Sequence, residues 1–446
     1  MKQIKRLFIP LTVIGLFLLN SCLSSSVSDY SDDAQVLKFS ISNDSVPAQA
    51  QALFTIDQAN GLIYNADSLP YKTKLYKRYK AVPSITTYST AAMYFNDTTY
   101  VSGDSIDFRR KQVFKNYAAN GVVNLSYNVQ VRVHQVQPDS IAWVQRTYPS
   151  YSYSTTDQKA VYCNSQVMLF VNDGSTVHLF STPDAKSWTS DVATQIPATL
   201  PLQNMVVLND TAAYMVQDGQ NILHSRDGVK WTPQTVTSAY QLKSLITTFN
   251  GLLLAVTNDS NGKYYVSSSP DGVNWTPIYT VPTDFPISDY AATDFFPPTG
   301  TEKILIVGGK NAAGSVVNST YSYMGNNYNW VNCATEMTPV SFKPRQDAAV
   351  LWYDDEALLL GGTLAGGGLV TDTITRSATE GYLWVTKDTL ITFPHKLNYP
   401  LRTKTSFIMD QYNRLFVIGG KDANGNFLKD AWVGRKNKMG WGMPPM

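Results

Sequence analysis

Ser225-Arg226-Asp227-Gly228-Val229-Lys230-Trp231-Thr232-Pro233 and Ser269-Pro270-Asp271-Gly272-Val273-Asn274-Trp275-Thr276-Pro277 are two copies of one pattern. The Asp-Gly pair is a tight turn, because glycine accepts a positive φ without steric cost. The Trp-Thr-Pro after it suits an extended, half-buried strand. Each copy therefore reads as a β-hairpin whose second strand opens on Trp. A weaker copy, Pro183-Asp184-Ala185-Lys186-Ser187-Trp188, precedes them.

Outward from these copies the chain is periodic. Trp188, Trp231, Trp275, Trp330, Trp384 and Trp441 are spaced by 43, 44, 55, 54 and 57 residues. A second mark appears in the later repeats. Ile306-Val307-Gly308-Gly309, Leu359-Leu360-Gly361-Gly362 and Val417-Ile418-Gly419-Gly420 are apolar strands ending in diglycine. Each leads through a turn to another strand, at Asn318–Tyr321, Thr371–Ile374 and Lys429–Trp432. The glycines of Gly361 to Gly368 lack the strand, helix start and spacing of a phosphate loop. Units near 160–199, 200–238, 240–282, 287–340, 345–394 and 402–446 have the length of a four-stranded propeller blade. Trp143, in Ser140-Ile141-Ala142-Trp143-Val144-Gln145, lies 45 residues before Trp188 and has no blade of its own. Its strand is expected to pair with the last blade and close the ring, with Trp441 competing for that role.

The Asp-turn resembles the Asp-box of sialidase-type propellers, though one residue shorter between Asp and Gly. The diglycine strands resemble kelch repeats, in which the glycines lie where inner strands crowd the axis. The expected fold class is all-β, with a six-bladed β-propeller over 139–446.

Residues 34–138 read as a separate β-sandwich. Val36–Ile41 alternates with period two, and Asn60-Gly61 signals a hairpin between Ile56 and Tyr64. Ser105–Phe108 follows a Gly-Asp turn, and Asn128–His134 is a clean alternating strand. That closing strand resembles the last strand of bacterial Ig-like modules, so this domain is expected to be Ig-like and to act as a spacer.

The head of the chain reads as an export signal. Lys2, Lys5 and Arg6 precede a 13-residue, largely apolar stretch, Leu7–Leu19, too short for a membrane span. Leu19-Asn20-Ser21-Cys22 resembles the bacterial lipobox, with Asn20 unusual within it. The resemblance implies removal of residues 1–21 and lipidation of Cys22. Residues 22–33 form a Ser/Asp-rich tether that cannot bury enough surface to fold. The expected address is the outer membrane or cell surface, with the membrane reached through the lipid on Cys22.

Composition removes other classes. Lys plus Arg is 36 and Asp plus Glu is 34, for a net charge of +2, so no basic footprint for nucleic acid is expected. Only four Glu occur, at 302, 336, 356 and 380. His134, His178, His224 and His395 are scattered, and no CxxC occurs, so no metal and no cofactor are expected. Cys163 and Cys333 fall three repeats apart and are expected to be separate buried thiols.

Chemistry is sparsely written. A sialidase-type site needs an arginine cluster and a Tyr activated by Glu, and other glycosidases need two facing carboxylates. The blades' few arginines do not assemble such a set, and no GxSxG occurs. The inner strands are entered through Pro201-Leu202-Gln203-Asn204, Pro286-Ile287-Ser288-Asp289, Pro344-Arg345-Gln346-Asp347 and Pro400-Leu401-Arg402-Thr403. In a propeller these converge on one mouth of the channel. Arg345, Arg402, Asp289, Asp347 and Gln203 are therefore the candidate ligand-binding residues, with the arginines suited to a carboxylate. Tyr148, Tyr151 and Tyr153 either stack on sugar rings or pack within an edge.

Taken together, the chain resembles a Bacteroidota lipoprotein family that joins an N-terminal Ig-like domain to a kelch-like/Asp-box-like propeller. The resemblance carries fold, not activity. The expectation is a non-catalytic envelope lipoprotein, not an enzyme, that binds a glycan or a protein through its propeller. A sialidase-like hydrolase and a structural subunit of a surface complex are the alternatives. Two Asp or Glu carboxylates facing one another at the channel mouth would favour the hydrolase.

Overall fold

The computed structural model describes residues 30–137, 139–325, 330–333, 342–370, 374–385 and 399–437. Cys22, His395 and Trp441 lie outside the described residues. Among those described, no helix is long and apolar enough to cross a membrane. The chain divides into two compact units, Met1–Gln137 and Pro138–Met446.

In the first unit a two-stranded and a six-stranded sheet share one core. Val36–Ser42 pairs antiparallel with Val82–Thr87. Phe54–Asp57, Leu62–Asn65, Asn124–Gln130, Gln112–Tyr117, Ala92–Phe95 and Thr98–Thr99 follow one another across the larger sheet. Phe39, Ile41, Ile63, Phe95, Phe108, Phe114 and Tyr127 fill the space between. The Asn60-Gly61 hairpin forms as expected. Ser105–Phe108 does not become a strand, and only Ile106 bridges to Ala81. The closing strand ends at Gln130, four residues short of the expected end. The reason is a side chain: Asn65 accepts the Arg132 N–H at 2.7 Å and donates to the Arg132 carbonyl at 2.9 Å, drawing off backbone that would have continued the ladder.

Among the described residues the second unit is a ring of six blades. Blade 1 contains Asp157–Cys163, Gln166–Asn172, Val177–Thr182 and Thr189–Ala193, from axis to rim. Blades 2 and 3 repeat this over Met205–Thr235 and Gln241–Thr280. Blade 4 spans Ala291–Asn332, and blade 5 has Ala349–Tyr353, Glu356–Leu360 and Thr375–Ser377. Blade 6 comprises Ser406–Met409, Leu415–Ile418 and Ala431–Lys436, and its fourth strand is Ile141–Arg146. The Trp143 strand thus closes the ring as expected, with Trp143 opposite Gly434.

Both faces of a blade are covered, so its middle strands are apolar at nearly every position. In Gln166–Asn172 the alternate residues Val167, Leu169 and Val171 pack against blade 6, while Met168 and Phe170 pack against blade 2. The same rule produces one apolar cluster at every blade interface around the ring.

Two devices lock blades together. The first is the Asp-turn hairpin, which locks backwards. Ser225 Oγ accepts the Gly228 N–H at 2.9 Å, and Asp227 Oδ1 accepts from Val229 and Lys230. The Trp231 indole closes the turn on the Gly228 carbonyl at 2.9 Å. Gly228, at φ +75°, fits against Met168, Phe170 and Leu179 of blade 1, and Trp231 packs edge-on to Phe170. Ser269–Trp275 repeats these bonds against blade 2. Blade 5 carries a longer version, in which Ser377 and Thr379 accept from Gly381 and Leu383 and Trp384 reaches Thr320 of blade 4.

The second device is the diglycine, which locks forwards. Gly361, at φ +63°, lies so close to the Arg402 carbonyl of blade 6 that any Cβ would enter it. Gly308 meets the Arg345 carbonyl of blade 5 in the same way, and Gly419 meets Gln158 of blade 1. Cys163 and Cys333 are separate, buried and unbridged.

Candidate functional site

The inner strands of neighbouring blades touch around the axis. They enclose a channel of about 580 Å³ lined from all six blades. Because these strands run the same way, their first residues gather at one mouth and their last at the other.

The entry mouth holds the expected tetrapeptides. The Asp347 N–H donates to the Asp289 carbonyl at 2.8 Å, and the Lys404 N–H donates to the Asp347 carbonyl at 2.9 Å. Asp289, Asp347 and Lys404 share a left-handed backbone, which aligns these bonds around the mouth. Asp289 pairs with Lys310 at 3.0 Å, and Asp347 lies 3.9 Å from Lys404. Burial lifts the Asp347 carboxyl above its ordinary range, against the pull of Lys404. Gln203 donates to Asp157 and to the Gln158 carbonyl, and lines the channel.

The two arginines do not join them. Arg402 is 1% exposed and grips Asp430 with two bonds of 2.8 Å, while its guanidinium lies over Tyr399. It also donates to the Gly419 carbonyl, so it pins its own diglycine. Arg345 is 3% exposed over Phe342 and points to the Gly361 carbonyl. Burial lowers it to about 10. Both are wall residues. The physical reason is the diglycine, whose missing side chains leave carbonyls open to donors; Thr405 shares the Gly419 carbonyl with Arg402, at 3.1 Å. The tyrosines are also occupied: Tyr151 and Tyr153 stack at 4.4 Å, Tyr153 stacks on His178, and Tyr148 donates to Gln158.

The lumen contains groups that the tetrapeptides did not indicate. Lys159 lines it from blade 1, and burial lowers its ammonium pKa against the favourable charge of Asp157. Towards the exit mouth stand Asp294 and Glu302 of blade 4. A bulge in the inner strand of blade 3, between Leu245 and Thr248, lets Thr247 donate to Asp294 at 2.8 Å. The Asn250 N–H donates to Glu302 at 2.8 Å. Asp294 opens onto the lumen yet has protein all round it, and that burial raises its carboxyl. Glu302 is raised by burial too, with a further push from the charge of Asp294. Phe296, at the same mouth, is 61% exposed. Tyr290 is tied to Ser244 and the Leu245 carbonyl and belongs to the wall.

A signal for these groups was present in the sequence. Lys159 and Asp294 are charges set inside the innermost strands, where a channel is the only place for them.

A family model for the DUF6242 beta propeller domain matches residues 137–444, and one for the DUF6242 N-terminal domain matches 26–131. The chain belongs to the DUF6242 family. Its propeller is thus the family's own C-terminal domain, and the two-sheet unit is its N-terminal one. Among solved structures, the DUF6242 chain is similar to "Structure of YjhT", at 14% identity, covering 64% of this chain and 96% of that one with a TM-score of 0.47. No curated protein matches the DUF6242 chain.

Proposed function

We propose that the propeller is a non-catalytic binding module that takes a glycan into its channel, carried on a lipid-anchored envelope protein. The observation behind this reading is the convergence of Lys159, Thr247, Asp294 and Glu302 in one lumen, with Phe296 exposed beside it. Carboxyl oxygens accept from sugar hydroxyls, and an exposed ring offers a flat apolar face. A channel of about 580 Å³ lies within the ~300–1,000 Å³ typical of small-ligand sites.

Asp294 and Glu302 are two carboxyls at one channel mouth, the kind of feature that favours the hydrolase reading. Hydrolysis needs one carboxyl ionised and the other protonated, so their environments must differ. Here burial raises both, and the nearest named partners are a hydroxyl and an amide rather than a cation. Both carboxyls thus stand as acceptors for hydroxyls, which supports binding, and release of reducing sugar is the result that would favour cleavage. The Ig-like reading of the N-terminal domain supports a spacer role, and Cys22 with the Ser/Asp tether supports the anchor.

The test is a glycan array probed with the full chain and with Asp294→Asn and Phe296→Ala. The expected result is binding that falls at least tenfold in either variant, with no reducing sugar released. Hydrolysis by the wild type, or undiminished binding by both variants, rejects the reading. Loss of radiolabelled lipid in Cys22→Ser tests the anchor.

A further inference from the structure

We propose that the channel selects a sugar acid, with Lys159 receiving its carboxylate and Asp294 and Glu302 accepting its hydroxyls; this rests on the reading of the lumen as a glycan site. The argument begins with an unmatched charge. Lys159 projects into the lumen from the innermost strand of blade 1, paired across the ladder with Phe170. Among the described residues its ammonium has no hydrogen-bond acceptor and no ion pair. Asp157 is the nearest charge that favours it. That carboxylate is already occupied by the N–H groups of Gln158 and Leu202 and the amide of Gln203. The other two acids of that mouth face lysines of their own, Asp289 with Lys310 and Asp347 with Lys404. A half-buried ammonium on a channel wall, without a counterion, is only partly compensated by water, and a ligand anion relieves that cost.

The far end of the lumen asks for the opposite chemistry. Asp294 takes one hydroxyl proton on Oδ1 and Glu302 one amide proton on Oε2. Among the described residues the Asp294 carboxylate has only its own backbone N–H besides Thr247, and Glu302 has no second donor, so both keep acceptor capacity to spare. The lumen is therefore polar along its axis, with a cation on one side and hydrogen-bond acceptors on the other. A neutral sugar satisfies the acceptors and leaves Lys159 alone. A plain carboxylic acid satisfies Lys159 and leaves the acceptors alone. A sugar acid serves both. One lysine also balances a carboxylate's single charge better than the −1.5 to −2 of a phosphate monoester, roughly, at neutral pH.

Three compounds that differ only at carbon 6 separate these cases: D-glucose, D-glucuronate and glucose 6-phosphate, with D-galacturonate as a second acid. Each is titrated calorimetrically into the full chain, into Lys159→Met and into Lys159→Arg. Thermal melts confirm that the variants fold. The expected result is that a uronate binds at least tenfold more tightly than glucose and glucose 6-phosphate. Lys159→Met should abolish that preference, and Lys159→Arg should keep part of it. A preference for the phosphate, equal affinity for acid and neutral sugar, an unchanged preference in Lys159→Met, or silence from both uronates overturns the inference. If neutral sugars alone bind, the glycan reading stands without it. If the glycan array is also silent, both fall.

Discussion

Blades 2 and 3 and blades 4 to 6 have one architecture held by different means. In blades 2 and 3 the lock is at the rim and looks backwards: a Ser-Asp-Gly turn seats its glycine and Trp on the preceding blade. In blades 4 to 6 it is near the axis and looks forwards, with a diglycine notched around the next blade's entry. Blade 5 carries both. The rim device is a side-chain network on an exposed hairpin. In blades 4 and 5 the axial device is a backbone-to-backbone fit with no slack, and in blade 6 its first glycine sits against the buried amide of Gln158. Loss of the second should therefore cost more than loss of the first.

The largest effect is expected at Gly361→Ala. The new Cβ meets a backbone carbonyl that cannot swing aside, at a residue already in the left-handed region. A loss above about 4 kcal/mol is expected by urea denaturation. Gly367→Ala, with nothing within 4 Å, should cost far less despite its φ of +90°. Equal costs would show that the axial notch is no lock.

Next is Arg402→Met, which strands Asp430 inside the wall. Breaking such a buried pair costs about 3–5 kcal/mol. Arg226→Met, on an exposed rim turn, should stay within about 0.5 kcal/mol. The rim lock itself is tested by Trp231→Ala, expected near 3 kcal/mol, the lower end for buried Trp because the hairpin can collapse. Asp227→Ala, which frees two turn N–H groups to solvent, should cost about 1 kcal/mol. If Asp227→Ala proved worse than Gly361→Ala, the comparison would be inverted.

The smallest effect lies where the two kinds of blade meet. Thr247 belongs to blade 3 and Asp294 to blade 4. The folded carboxyl of Asp294 is raised above 3.8, so the native state binds its proton more tightly than the unfolded chain does. The ionised carboxylate therefore lowers stability above the folded pKa, and that penalty fades as pH falls towards 3.8. Asp294→Asn keeps an acceptor for Thr247. It should raise the melting temperature at neutral pH and lose the advantage in acid. A pH-independent difference would refute the assignment.

The fold was largely legible because it is written as repetition. Two near-identical nonapeptides, three diglycines and an orphan Trp143 are sufficient for blades and closure. What repetition could not convey was how a conspicuous residue is used. Arg345 and Arg402 stand out as cations at the mouth, yet the carbonyls bared by the diglycines draw them into the wall. Lys159 and Asp294 are charges inside the innermost strands, a signal that alternation alone does not separate from an exposed strand face until the ring turns that face into a lumen. Thr247 depends on a bulge, a one-residue slip that an alternating pattern hides. In the N-terminal unit the strand end was lost to Asn65, a side chain distant in sequence.

The Ile141–Arg146 strand has a consequence for how the molecule is made. Synthesis delivers it before any blade, yet its partner, Ala431–Lys436, is almost the last described segment to emerge. Throughout translation it is a strand without a mate, and the growing ring has an open seam. Trp143 reads its place through the notch at Gly434, where a side chain would collide with the indole. A neighbouring copy whose last blade has already emerged presents the same notch. Strand exchange between nascent chains is the characteristic failure of this design, and joining the ends while opening an exposed inter-blade loop, a circular permutation, is the way to remove it.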